Sequence, residues 1–392
     1  MKNILITSFD MEVGGVERSL INLLSNFDYS SYQVDLLLYS HTGDFLTLLP
    51  TQPTLLKENK TYKTFRMSIK ETLLAGNLPI TFARTFAKVK ANRGSSLEKG
   101  YKQMQYMWKY SIPFLPKVEK EYDAAISYLW PHDFVAKKVK AKKKIAWIHT
   151  DYSTVDTDEI EDLKIWDCYQ SIIAVSTECK KAFLSKYPSL YKKVVVIENL
   201  NSPEFIRSQA KEKITHSIID DNRFKIVTVA RLSHAKGIDN GIKALKEIKN
   251  RGYSDIAWYV VGYGGDDLKL KKLIKDNGLE KDFILIGKQV NPYPYVKEAD
   301  IYVQPSRYEG KAITVTEAQI LSKPVLITDY PTSKSQVQDG RNGLICEGTV
   351  EGIAGGIEQL YKNREIRKKL KSFCLKTDFS VKREMETFYK LI

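Results

Sequence analysis

Short apolar runs alternate with helix-period stretches from the first residues of this chain to about residue 346, and that alternation constrains the fold more than any other feature. Residues 3–8 form a strand-like run, followed by Gly14-Gly15 and then Val16, Leu20, Leu23, Leu24 and Phe27 at helical spacing. Further strand signals fall at 33–39, 123–129, 144–149, 171–175 and 194–197. A second series begins at 224–230 and continues at 256–262, 283–286, 301–303, 324–328 and 344–346. Helical patterns separate these runs, among them Ile238, Ile242, Leu245 and Ile248, and a charged stretch at 266–278 that Asn277-Gly278 stops. Strands joined through helices must pair in parallel, so the chain is expected to be α/β, with two doubly wound Rossmann-like sheets facing a central cleft. Ligands of such sheets bind beyond the carboxyl ends of the strands.

A length of 392 residues exceeds the roughly 250–300 at which a single core stops growing, which agrees with two domains. Residues 1–200 read as the first domain and 223–378 as the second. Residues 201–222 collect Asn, Ser, Pro and charge without a period and read as the linker. The final segment, 379–392, carries Val381, Met385, Phe388, Tyr389 and Ile392, an apolar stripe suited to docking on another surface. No run approaches the ~18 apolar residues that span a bilayer, and the apolar start is too short for a signal peptide, so a cytoplasmic chain is expected. Cys168, Cys179, Cys346 and Cys374 include no Cys-x-x-Cys pair, which signals neither a disulfide framework nor structural zinc.

The net charge of +14 is concentrated. Between Lys57 and Lys120 stand fourteen Lys or Arg against four Glu, so this segment holds +10 of the total. Within it, residues 80–93 place Phe82, Phe86 and Val89 at i, i+4 and i+7 with Arg84 and Lys88 opposite, and Met104, Met107 and Trp108 follow on similar spacing. Two readings fit: a core-facing helix with a solvated basic face, or a peripheral contact with anionic lipid headgroups. Nucleic acid is disfavoured, because no helix-turn-helix, zinc finger or aromatic RNA-binding motif accompanies the charge.

The candidate chemistry lies where strands end. Gly14-Gly15 follows the first strand, where backbone N–H groups can approach an anion at a helix start. Gly262 ends another strand, in Gly-Tyr-Gly-Gly. Neither glycine group completes a dinucleotide fingerprint, and Gly310-Lys311 lacks the remainder of a P-loop. Arg231 and Lys236 follow the first strand of the second series, placed to clamp a diphosphate. Residues 305–318, PSRYEGKAITVTEA, put Glu309 just before a helix expected to begin near Lys311 and Glu317 about two turns inside it. The free N–H groups of that helix would make Gly310, Lys311, Ala312 and Ile313 an anion and hydroxyl site.

Glu309 and Glu317 form an E-x7-E motif; with Gly14-Gly15, Arg231 and Lys236-Gly237 it resembles family 4 retaining glycosyltransferases of the GT-B fold. The likeness runs from the first strand to at least Asn342-Gly343-Leu344, and the form SRYEGK is similar to the branch that builds bacterial capsule, exopolysaccharide or teichoic glycans. The resemblance implies that Arg231 and Lys236 bind a donor diphosphate, that Glu309 and the backbone of residues 311–313 meet the transferred sugar, and that Glu317 holds the ribose. It implies that Gly15 approaches the phosphates, that His149 lies near the reacting carbon, that Gln289 and Val290 meet the base, and that the last helix crosses back to the first domain. The chain departs from many relatives at Lys311-Ala312, where Phe-Gly or Phe-Pro is common, and at Tyr330-Pro331-Thr332, where a glycine-rich turn is usual.

The expected reaction is transfer of a sugar from a nucleotide diphosphate, with uridine the expected nucleoside, to a glycan or lipid-linked glycan, with no cofactor and no metal. Asp156-Thr157-Asp158 looks like a D-x-D metal motif but follows no apolar strand, so it reads as the acidic start of a helix with Thr157 as its cap. His132, after Trp130-Pro131, is a lesser acceptor-side candidate. A sugar-nucleotide epimerase of the same shape and a catalytically silent binder of membranes or polyanions are the alternative readings.

Overall fold

The computed structural model describes residues 1–92 and 99–392, and Arg93 of the basic stretch lies outside them. Two sheets are present, and every strand pair in them is parallel. The first contains β1 (Lys2–Ser8), β2 (Tyr32–Leu38), β3 (Thr54–Leu55), β4 (Tyr122–Ser127), β5 (Ala141–Ile148), β6 (Ser171–Ala174) and β7 (Val194–Val196), in the order β3-β2-β1-β4-β5-β6-β7. The second contains β8 (Phe224–Val229), β9 (Ile256–Val261), β10 (Phe283–Gly287), β11 (Ile301–Gln304), β12 (Val325–Thr328) and β13 (Leu344–Cys346), in the order β10-β9-β8-β11-β12-β13. Each order reverses at one place, between β1 and β4 and between β8 and β11, which are the switch points where doubly wound sheets open a crevice for ligand. The two-residue strand β3 has no periodic signal in the sequence.

Burial explains why these runs become strands. Parallel sheets covered by helices on both faces need strands that are apolar throughout, and every residue of β9 is buried. The helix Ile238–Asn250 turns Ile238, Ile242, Leu245 and Ile248 into the core of the second sheet. The helix Asp267–Asp276 stops before Gly278, whose φ of +65° suits glycine.

The chain divides into two compact units: Met1–Glu12, Val16–Glu198 and Lys382–Ile392 form the first, and Val13–Gly15 with Asn199–Val381 form the second. Residues 201–222 carry a helix, Pro203–Gln209, capped by Ser202 through the amide of Phe205, and they group with the second unit. The last helix, Lys382–Tyr389, belongs to the first unit. Its Phe388 is fully buried, with ring centroids 5.7 Å from Phe27 and 5.8 Å from Trp147, while Tyr389 stacks on Tyr32 at 5.3 Å and its hydroxyl accepts from the amide of Asp28 at 2.7 Å. Lys2 Nζ donates to the carbonyl of Ile392 at 3.1 Å. Because a buried phenylalanine leaves a cavity when truncated, Phe388→Ala is expected to cost about 3–5 kcal/mol. A urea midpoint equal to that of the parent would show that the helix adds nothing to the first unit.

The basic segment folds as the helices Ile69–Leu74, Leu78–Asn92 and Lys99–Ser111. The expectation that Arg84 shares a solvent face with Lys88 does not hold. Arg84 turns inward to donate to the carbonyl of Thr64 and, at 3.4 Å, to Thr72 Oγ1. The core-facing reading of Phe82, Phe86 and Val89 also fails, because all three are exposed and it is Ala87 and Ala91 that pack against Tyr106.

Candidate functional site

In the second unit the loops after β8 and β11 leave adjacent strands on either side of the reversal in strand order. The β8 loop passes through a short 3-10 turn, His234–Lys236, and then Gly237 at φ +63° opens the helix Ile238–Asn250. A Cβ at Gly237 would lie 1.9 Å from the carbonyl oxygen of Pro305, so only glycine lets the β11 loop approach this closely. Gly262 meets the other side of the β8 loop in the same way: at φ +153°, its Cβ would lie 1.8 Å from the carbonyl oxygen of Ala230. Three strand ends are thereby drawn together backbone to backbone.

That packing joins two of the expected residues. Lys236 Nζ lies 2.6 Å from both carboxylate oxygens of Glu309. Glu309 is buried, and its Oε1 also accepts from Ser306 Oγ at 2.7 Å and Gln304 Nε2 at 3.3 Å. A carboxylate so far from solvent requires its lone pairs to be met, and the ammonium with two neutral donors does so. Arg231 lies earlier in the β8 loop, exposed and without an ion pair among the described residues.

The helix expected near Lys311 begins at Ile313 and ends at Ile320. Its N-cap is Ala312, which offers no side-chain cap. The Ala312 amide is already committed, donating to Gln336 Oε1 at 3.2 Å, while Gln336 Nε2 donates to the Ala312 carbonyl. Glu317 therefore lies in the second turn rather than two turns in. It is buried, and its Oε1 accepts from Tyr293 OH at 2.6 Å. Gly310 and Lys311 lead into this helix, and Gln289 and Val290 follow β10, with Val290 at the surface.

Several supporting residues carry no local sequence signal. Arg307 donates to both oxygens of Asp239 at 2.8 Å, to Asn240 Oδ1 at 3.1 Å and to the carbonyl of His234 at 2.7 Å, so one side chain of the β11 loop grips the β8 loop. Burial acts to raise the Asp239 carboxyl, but the Arg307 fork overrides it and holds the group below the usual carboxylate range. Thr332 Oγ1 donates to the carbonyl of Glu309 at 2.8 Å, and Tyr330 OH donates to Gln336 Oε1 at 3.0 Å. The unusual Tyr330-Pro331-Thr332 turn thus braces the loop that carries Glu309.

His149 lies in other surroundings, whereas Gly14 groups with the second unit. His149 follows β5 in the first unit, its ring parallel to Trp147 at 6.0 Å and 4.7 Å from Tyr128. Burial pushes the imidazole down to about 3, so it is neutral at physiological pH, and its Nε2 is sealed from solvent without a hydrogen-bond partner among the described residues. Gly14 precedes the helix Gly15–Ser25. His132, likewise pushed down to about 3 by burial, is bound through Nδ1 to Ser127 Oγ at 2.8 Å. Asp158, not Thr157, caps the helix Glu159–Trp166 by accepting from the Glu161 amide at 3.3 Å. The stretch that resembled a metal motif is a helix start, as its acidity suggested.

Residues 209–374 match the family model described as "Glycosyl transferases group 1". That match lies within the second unit. The chain is 30% identical over 173 residues to the uncharacterized glycosyltransferase MJ1059 of Methanocaldococcus jannaschii, covering 43% of this chain and 42% of that protein. It is 27% identical over 212 residues to the capsular polysaccharide biosynthesis glycosyltransferase CapM of Staphylococcus aureus, covering 51% and 54%. These matches span about half the length of the curated relatives. Anabaena HepE, solved in complex with UDP-glucose, superposes with a TM-score of 0.70 at 18% identity over 100% of both chains, a likeness that gives the two-domain α/β GT-B fold.

The Arg307 grip within the second unit is testable. Arg307→Ala should lower unfolding stability by about 1–3 kcal/mol, since hydrogen bonds to a charged group are lost. Arg307→Lys should recover little of it, because an ammonium cannot fork onto Asp239. Lysine performing as well as arginine in urea denaturation would mean that the fork does not hold the loops.

Proposed function

We propose that this chain is a family 4 retaining glycosyltransferase that moves a sugar from a uridine-diphosphate donor to a glycan or lipid-linked glycan in cell-surface polysaccharide assembly. The Lys236–Glu309 pair carries this reading, because it places a cation for a diphosphate against a carboxylate for sugar hydroxyls at a sheet switch point. The group 1 match supports transfer, HepE's complex with UDP-glucose supports the donor, and CapM supports the polysaccharide setting.

In the proposed reaction the donor diphosphate draws Lys236 from Glu309, and Arg231 adds a second cation. The released Glu309 keeps its bonds to Ser306 and Gln304 and turns its other oxygen to the sugar. An acceptor hydroxyl attacks the anomeric carbon on the face that the diphosphate leaves. The bond to the diphosphate oxygen breaks, that oxygen takes the acceptor proton, and no covalent enzyme intermediate forms. Charge growing on the leaving group is met by Lys236, Arg231 and the uncapped start of the helix Ile313–Ile320, which makes the transfer metal-independent. Glu317 holds the ribose, Gln289 and Val290 meet the base, Gly262 shapes the nucleotide side, and Gly310 to Ile313 line the sugar. Gly14, Gly15 and His149 keep the roles that the resemblance implies, His149 supplying an uncharged imidazole.

Contacts that strengthen only in the transition state raise turnover more than ground-state affinity. Glu309→Gln should therefore reduce acceptor-dependent release of UDP by on the order of 100-fold while leaving UDP affinity at or above that of the parent. Equal losses in turnover and in affinity would refute the assignment of Glu309 to the sugar.

A further inference from the structure

We propose that the exposed face of the helices Ile69–Leu74 and Leu78–Asn92 docks onto the surface of an anionic phospholipid bilayer. This inference is independent of the transferase reading and rests on the first unit alone. Six large apolar side chains stand in solvent there: Leu74 at 77% exposure, Phe82 at 73%, Phe86 at 57%, Leu73 and Leu78 at 50% and Val89 at 49%. At 100° per residue, Leu78, Phe82, Phe86 and Val89 fall within an arc of about 80°. The opposite face holds Ile80, Ala83, Ala87 and Ala91, all buried. The helix is thus amphipathic in an unusual sense: three alanines and Ile80 pack on the protein, and the larger share of its apolar surface points away from it.

Charge selects lipid as the occupant. In the same projection Lys88 lies on one side of the apolar arc and Lys90 on the other, and Lys70 is exposed on the preceding helix. Lys90 is held by Tyr110 OH at 2.9 Å and lies 4.7 Å over the Tyr106 ring, which fixes its ammonium beside the stripe. The surrounding segment, 57–120, carries +10. Apolar chains flanked by lysines match a helix lying in the interface, rings among the acyl chains and ammonium groups among the phosphates. The stripe follows one helix with Phe86 leaning on Tyr110 at 5.1 Å, so the face offers projecting rings and not a groove for a peptide.

The test is sedimentation of the full chain with vesicles of phosphatidylcholine, alone or mixed with phosphatidylglycerol. The parent should pellet with the mixed vesicles only, and added salt should release it. Phe82→Ser with Phe86→Ser, and separately Lys70→Glu with Lys88→Glu, should each lower the bound fraction at least about tenfold. All four positions are exposed, so thermal midpoints should stay at the parent value, which separates lost docking from lost folding. Undiminished pelleting of the Phe double variant, equal pelleting with both vesicle types, or a parent that stays in the supernatant would each overturn the proposal. A soluble self-associated form in place of vesicle binding would do the same. No donor or turnover enters the readout, so failure here leaves the transferase reading where it stands.

Discussion

One ion pair organises the second unit. Lys236 and Glu309 stand on loops from neighbouring strands, 73 residues apart in sequence, and meet at 2.6 Å. Removing a carboxylate from water is costly unless the site meets its charge and its lone pairs. Here Ser306 and Gln304 share the task with the lysine, so neutral donors as well as the ammonium orient Glu309. In the proposed exchange, an anion that recruits Lys236 meets a carboxylate held by these two donors.

Such proximity requires glycine in the backbone. Gly237 and Gly262 let three strand ends touch where a Cβ would collide with a carbonyl, and Arg307 locks the contact by spanning Asp239, Asn240 and His234. The Lys311-Ala312 and Tyr330-Pro331-Thr332 stretches acquire a structural reason here as well. Ala312 leaves the helix start without a side-chain cap, and Thr332, Tyr330 and Gln336 hold the preceding loop from the far side.

The strands and their order of appearance were legible because parallel sheets require continuous apolar runs, a pattern visible over a few residues. Lys236 and Glu309 were each legible as candidates for a different reason, since position after a strand is a local property, but their pairing was not. Relations between distant residues escaped. Nothing near Arg307 announces Asp239, and nothing near Gln336 announces Ala312. β3, at two residues, is too short to show a period. The basic helix was ambiguous in another way: a stripe at i, i+4 and i+7 looks the same whether it faces a core or a bilayer, and only the burial of Ala83 and Ala87 on the other side decides which face is covered. The acidic start at Asp158 was readable, but its cap is one residue later than Thr157 because the carboxylate reaches the Glu161 amide.

The central claim, that Lys236 exchanges a carboxylate for a diphosphate, is tested most directly by calorimetry of UDP and of uridine binding to the parent and to Lys236→Ala. UDP affinity should fall at least about tenfold on substitution, as expected for one lost charge-assisted contact, with uridine affinity unchanged. An unchanged UDP affinity would remove Lys236 from the site and contradict the exchange on which the proposed transfer depends.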